Sequence, residues 1–259
     1  MRPTRSETVH CGSWLEADWP APPGVRAGQT LRNGGVSTAP FDTLNLATHV
    51  SDNPEAVAAN REHLRAALQL VDEPQWLRQV HGVRAVSLPA ADPEPEADAA
   101  WTTRSGLACA VLTADCLPVL FSAVDGSVVA AAHAGWRGLA NGVLESTIAA
   151  MATPPAQLQA WLGAAIGPAA FEVGPEVRSS FVGQDATLEA YFERGRDDRW
   201  VADLYALARA RLRRAGITAV YGGNRCTYSE PDAWFSYRRT PRCGRMASLI
   251  WIDAAMSVR

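Results

Sequence analysis

The chain has 259 residues, 47% of them hydrophobic, and a formal net charge of -3; this is enough for one sizeable core, and a single domain spanning 1–259 is expected. The negative balance offers no electrostatic footing for nucleic acid. All 24 basic residues are arginine, which excludes Schiff-base, pyridoxal phosphate and Walker-lysine chemistry, since each needs an amine.

Residues 1–24 are expected to form a leader segment ending at Pro20-Ala21-Pro22-Pro23-Gly24. They hold no apolar run suited to export, and no stretch nears the roughly 20 residues that span a bilayer. Five widely spread cysteines, at 11, 109, 116, 226 and 243, suit reduced thiols, so a soluble cytoplasmic protein without a membrane partner is expected. Arg32-Asn33-Gly34-Gly35-Val36-Ser37 is predicted as a loop, and a helix should follow from Asn53-Pro54 to about residue 70. The acidic, proline-punctuated Asp92 to Glu96 is predicted as a surface loop.

Leu107 to Leu112, Pro118 to Ala123 and Ser127 to Ala132 are apolar runs bounded by turn residues, which predicts three buried strands of one sheet. One helix should run from Gly138 to Met151. Asp203 should cap another through Leu212, with Arg213 and Arg214 at its negative end and Gly216 as its stop. Ile217 to Tyr221 and Ser248 to Ile252 complete the predicted strands. Elements mixed without a steady βαβ rhythm indicate an α+β fold.

Two apolar runs end in reactive groups. The first stops at Thr113-Ala114-Asp115-Cys116-Leu117-Pro118, the second at His133-Ala134-Gly135-Trp136-Arg137-Gly138, and neighbouring strand ends bring such residues together. His81, in Gln79-Val80-His81-Gly82, is the third candidate. One thiolate and two imidazoles suit Zn²⁺, and three protein ligands leave a fourth position for water, which zinc would acidify towards about 7. The spacing alone marks no metal motif. A Cys116–His133 hydrolase or amidotransferase, with Asp115 or another carboxyl orienting the ring, uses the same residues without a metal. His81 separates the two, because a dyad does not require a second imidazole.

Arg137, just ahead of a helix, and Arg32, beside a glycine pair, are candidate phosphate contacts; surface pairing is the plainer role for each. In Trp234-Phe235-Ser236-Tyr237-Arg238-Arg239, Phe235 is assigned to the core and Tyr237 or Arg238 to a substrate pocket.

Arg32 to Ser37, Leu44-Asn45-Leu46, Gln79 to Gly82, Thr113 to Pro118, Ala132 to Gly138, Ile166-Gly167-Pro168 and Phe235 to Arg239 together resemble, in order, the YfiH family of laccase-domain proteins. The resemblance covers about residues 30 to 253. It implies a sandwich of mixed β-sheets flanked by helices, with a metal on His81, Cys116 and His133. It also implies a zinc-dependent purine nucleoside enzyme, performing phosphorolysis of adenosine, inosine, guanosine or methylthioadenosine and deamination of adenosine. Catalysis would fall to Cys116, Asp115 and His133, with Asp115 as proton shuttle, and binding of nucleoside and phosphate to Arg32, Asn45, Arg137, Tyr237 and Arg238. The family is also described as a peptidoglycan editing factor hydrolysing miscoded muropeptide precursors; a non-catalytic metal-stabilised binding protein is a third reading. The laccase reading, a copper polyphenol oxidoreductase, needs more imidazoles than the five present, although the site would accept adventitious copper. Cys243 departs from the threonine-like residue expected there, and no role is assigned to Cys226, Cys243 or His49.

Overall fold

The computed structural model describes residues 12–254. Strands β1 (Trp14–Glu16) and β2 (Val25–Thr30) precede helix α1 (Pro54–Ala67). Next come β3 (Ala85–Ser87), β4 (Ala99–Thr102), β5 (Cys109–Thr113), β6 (Leu117–Ala123) and β7 (Val129–Ala134). Two short helices, α2 (Trp136–Asn141) and α3 (Val143–Ala150), lead to β8 (Leu158–Leu162), β9 (Glu172–Val173), α4 (Pro175–Val182), β10 (Phe192–Arg194) and β11 (Trp200–Ala202). Helix α5 (Leu204–Arg214), β12 (Ala219–Gly222) and β13 (Met246–Ile252) follow.

Local chemistry sets several boundaries as predicted. Asn53 Oδ1 accepts from the Glu55 amide 2.8 Å away and Pro54 opens α1. Asp203 Oδ1 accepts from the Ala206 amide at 2.9 Å to start α5, and Gly216, at φ 94°, follows its arginine-rich end. The acidic segment 92–96 stays outside the strands and helices.

Three expectations are corrected. The single helix over 138–151 is two helices broken at Gly142, whose φ of 101° is left-handed and cannot sit inside an α-helix. The three successive strands do not share a sheet: β5 lies in the order β1-β2-β13-β5, whereas β6 and β7 lie in β12-β8-β6-β7-β4-β3. Residues 114–116 carry the chain from one sheet to the other, with Asp115 at φ 86°. Nor are residues 12–24 merely part of a leader, because β1 pairs antiparallel with β2 and Trp14 is buried against Trp251. His10 and Cys11 lie outside the described residues.

The fold is α+β, with a mixed six-stranded sheet: β12 runs parallel to β8 and β3 to β4, and its other pairings are antiparallel. Period-two alternation sorts side chains into layers. Cys109 and Val111 of β5 join Ile250 of β13 against Leu120, Val129 and Ala131 of the six-stranded sheet. On the outer face, Ala110, Leu112 and Leu249 meet Leu64 of α1. Across the molecule, Val119, Phe121 and Ala132 meet Leu139, Leu144 and Leu207 from α2, α3 and α5. Each large side chain so buried contributes about 1.5–3 kcal/mol of transfer free energy. The result is a helix–sheet–sheet–helix sandwich, with the 114–116 crossover at one end.

Candidate metal centre

Three chain segments meet at that end of the sandwich. Cys116 is the last residue of the crossover. Its neighbour Asp115 pins the turn, because Oδ1 accepts from Thr227 Oγ1 at 2.5 Å and Oδ2 from the Arg238 amide at 2.7 Å. His133 lies opposite Pro118 in the β6–β7 register. By alternation it shares a face with Val129 and Ala131, so it points between the sheets and is buried. His81 is exposed, on a loop, with a φ of 60°.

A residue that the sequence reasoning missed joins these segments. Asp98, fully buried before β4, accepts at Oδ1 from the His81 amide (2.9 Å) and at Oδ2 from the Val80 and Gly82 amides (3.2 and 2.6 Å). Oδ1 also lies 2.8 Å from His133 Nδ1. An ionised carboxylate only accepts, so Nδ1 donates and Nε2 is left for the centre.

The donor atoms of His81, Cys116 and His133 lie within 4.8 Å of one another. Cys116 Sγ is 3.9 Å from His81 Nε2, and the imidazole planes stand at 78° with centroids 4.8 Å apart. Tetrahedral zinc with bonds of about 2.0 Å to nitrogen and 2.3 Å to sulfur requires donor separations of about 3.3–3.5 Å, so the Cys116–His81 pair must close by about 0.4 Å and the widest pair by more than about 1 Å. Gly135 keeps the approach open: a Cβ there would lie 3.0 Å from Cys116 Sγ, 3.1 Å from His81 Cδ2 and 3.5 Å from His133 Nε2. Donor chemistry and clearance both fit a metal of zinc's preferences.

Electrostatics favour the ligating form of the thiol. Burial opposes ionisation of Cys116, but the charge on His133 and hydrogen bonds from both imidazoles outweigh it and bring the thiol down to about 6. For His133, burial acts downward, while the Cys116 thiolate and the Asp98 carboxylate raise it to about 9. Both shifts favour a thiolate–imidazolium pair over the neutral one. The other described cysteines are also free thiols. Burial pushes Cys109 and Cys243 up, whereas Cys226 Sγ accepts from the Gly167 amide at 3.2 Å.

The centre opens into a cavity of about 510 Å³, within the range of small-molecule sites. Tyr237 and Arg238 line it, and Phe235 is core. Gln79, Trp136, Phe171, Arg245 and His49, to which no function was assigned, line it as well. Gln79 brackets Leu112, donating to its carbonyl at 2.9 Å and accepting from its amide at 2.7 Å.

Three predicted site residues stand differently. Arg32 does not line the cavity: it donates from Nε and Nη2 to the Asp42 carbonyl and from Nη1 to the Pro231 carbonyl, with its guanidinium 4.9 Å from the Phe235 ring. It clamps two loops together. Asn45 is buried, its amide bonded to Ala47, Asp52 and the Arg245 backbone, so it supports the cavity wall from behind. Arg137 is exposed and lies over the Trp136 ring at 4.4 Å, outside the lining. Asp115 reaches the cavity, and its two oxygens accept from the Thr227 hydroxyl and the Arg238 amide.

Fold and site define an α+β sandwich carrying a His–Cys–His centre able to hold a metal. Residues 26–253 match the family described as multi-copper polyphenol oxidoreductase laccase, and the chain belongs to this family, that of YfiH. It is 53% identical to the purine nucleoside phosphorylase of Pseudomonas aeruginosa over 93% of this chain and 99% of that one. To the purine nucleoside phosphorylase YfiH of Escherichia coli it is 51% identical, over 90% and 96%. The crystal structure of a Neisseria meningitidis protein superposes with a TM-score of 0.89 at 50% identity, covering 93% of this chain and all of that one. YfiH of Bacillus licheniformis gives 0.85 at 30% identity, covering 93% and 97%. No helix among the described residues is long and apolar enough to cross a membrane.

Proposed function

We propose that the protein is a zinc-dependent purine nucleoside enzyme of the cytoplasm, carrying out phosphorolysis of adenosine, inosine, guanosine or methylthioadenosine and deamination of adenosine. The observation that carries this reading is the placement of a metal-ready thiolate and two imidazoles on the wall of a cavity that also presents aromatic rings and guanidinium groups. The names of the relatives supply the substrate class.

His81, Cys116 and His133 hold the metal. When bound, zinc supplies a Lewis acid and lowers the pKa of a water to about 7. Trp136, Phe171 and Tyr237 offer π-faces for a purine. Phosphorolysis breaks the bond between base nitrogen and ribose C1′ and joins C1′ to a phosphate oxygen, so phosphate must be held against the sugar. Arg238 and Arg245 take that role here, because they line the cavity and Arg32 and Arg137 do not. Each is steadied through Nη1 by backbone carbonyls, Arg238 by Glu172 at 2.9 Å and Arg245 by Cys243 at 2.8 Å. Deamination replaces the amino group at purine C6 by oxygen from water and releases ammonia. Two histidines and one cysteine do not provide the several copper centres of a true laccase.

The purified zinc-loaded protein is to be incubated with adenosine, with and without inorganic phosphate, and the products separated by chromatography. Adenine formed only with phosphate, and inosine formed in both cases, are the expected products. Absence of both, together with cleavage of a serine-bearing muropeptide precursor, would replace this reading by cell-wall precursor hydrolysis.

A further inference from the structure

Val80, His81 and Gly82 present three successive backbone amides to a single carboxylate, with His81 in the left-handed region. Such a concave run of N–H groups is an anion-binding nest, and here the anion is the side chain of Asp98. A bulky residue at positive φ is costly, and the nest's hydrogen bonds hold it there. The same residue grips His133 twice: its carbonyl accepts from the His133 amide at 2.7 Å and its Oδ1 from His133 Nδ1. We infer that Asp98 is the positioning residue of the metal centre, one carboxylate setting both the loop that delivers His81 and the tautomer of His133. This rests on the reading that His81, Cys116 and His133 bind zinc.

The partners of the two oxygens make the requirement for a carboxylate strict. Oδ1 serves the His81 amide and His133 Nδ1; Oδ2 serves the amides of Val80 and Gly82. An asparagine is isosteric but fails in both orientations. With its NH₂ in the place of Oδ2, donor faces donor at Val80 and Gly82. With its NH₂ in the place of Oδ1, it opposes the His81 amide and forces His133 Nδ1 to accept, which moves the ring proton to Nε2, the atom that should ligate. Burial denies water the chance to repair either mismatch.

The test is zinc affinity of Asp98→Asn, measured by competition with a chromophoric chelator, alongside far-ultraviolet circular dichroism. A folded variant that binds zinc about 10–100-fold more weakly than the parent is expected. A folded variant with parental affinity overturns the inference. If the variant does not fold, the ¹⁵N imidazole spectrum of the zinc-loaded parent decides: a hydrogen-bonded proton on His133 Nδ1 is expected, and a proton on Nε2 overturns it. A parent protein with no measurable zinc affinity refutes the metal reading itself, an outcome separate from equal binding by parent and variant.

Discussion

Replacing Gly135 by alanine tests the metal centre without removing a donor. The backbone there has φ -59° and ψ 156°, open to any residue, so the change strains no dihedral. The new methyl carbon instead meets Cys116 Sγ at 3.0 Å and His81 Cδ2 at 3.1 Å. At these separations each neighbour has to give by a few tenths of an ångström. Zinc bonds tolerate about ±0.2 Å, so a displacement of this size disturbs a set of donors that all border the new methyl group. Zinc affinity should fall by about 10–100-fold. The metal-free fold should lose only about 1–3 kcal/mol, the usual range for an overpacked contact. Chelator competition gives the affinity and denaturant unfolding of the metal-free protein the stability. Affinity within twofold of the parent would refute the placement of the metal among these three residues.

Three further outcomes follow from the same geometry. Cys116→Ala, which leaves two imidazoles, should lose zinc together with activity; full zinc stoichiometry by elemental analysis would mean that the ligands are wrongly assigned. Arg238→Ala should raise the KM for phosphate by about tenfold, the effect of about 1.4 kcal/mol of lost anion binding, while Arg137→Ala leaves it near the parental value. The opposite ranking would return the phosphate to the start of α2. In the metal-free protein, alkylation of Cys116 followed by mass spectrometry should rise with pH through about 6, far below the 9.0 of an ordinary thiol, and bound zinc should suppress it; an inflection near 9 counts against the thiolate. The signs for stability agree. Cys116, depressed on folding, loses its contribution as pH falls through about 6, and His133, raised, loses its own as pH rises through about 9, so the pair stabilises the metal-free fold between those values.

Two of the three candidate ligands were legible, because Cys116 and His133 follow closely on apolar runs whose burial fixes where the adjoining residues emerge. His81 had no such signal. It stands on a loop, and only its place in the ordered motifs of the family marked it. Asp98 carried one overlooked hint: a charged residue interrupts Ala97-Asp98-Ala99-Ala100, where a buried carboxylate must have donors nearby. Those donors come from residues 80–82 and 133, so no local pattern could name them. The arginines illustrate the same limit. A guanidinium on a long, flexible stem goes wherever carbonyls and rings satisfy it, and that placed Arg32 on Asp42 and Phe235 while Arg238 and Arg245 reached the cavity.

Caps, breakers and apolar periodicity act over a few neighbouring residues, which is why the amino-acid order alone determined α1, α5, the buried strands and the α+β class. Partition of β5 and β6 between two sheets, closure of the donors to within 4.8 Å and recruitment of Asp98 were decided only in the folded molecule. Each depends on contacts between segments distant along the chain, where packing of whole faces, and no nearest-neighbour preference, sets which atoms meet.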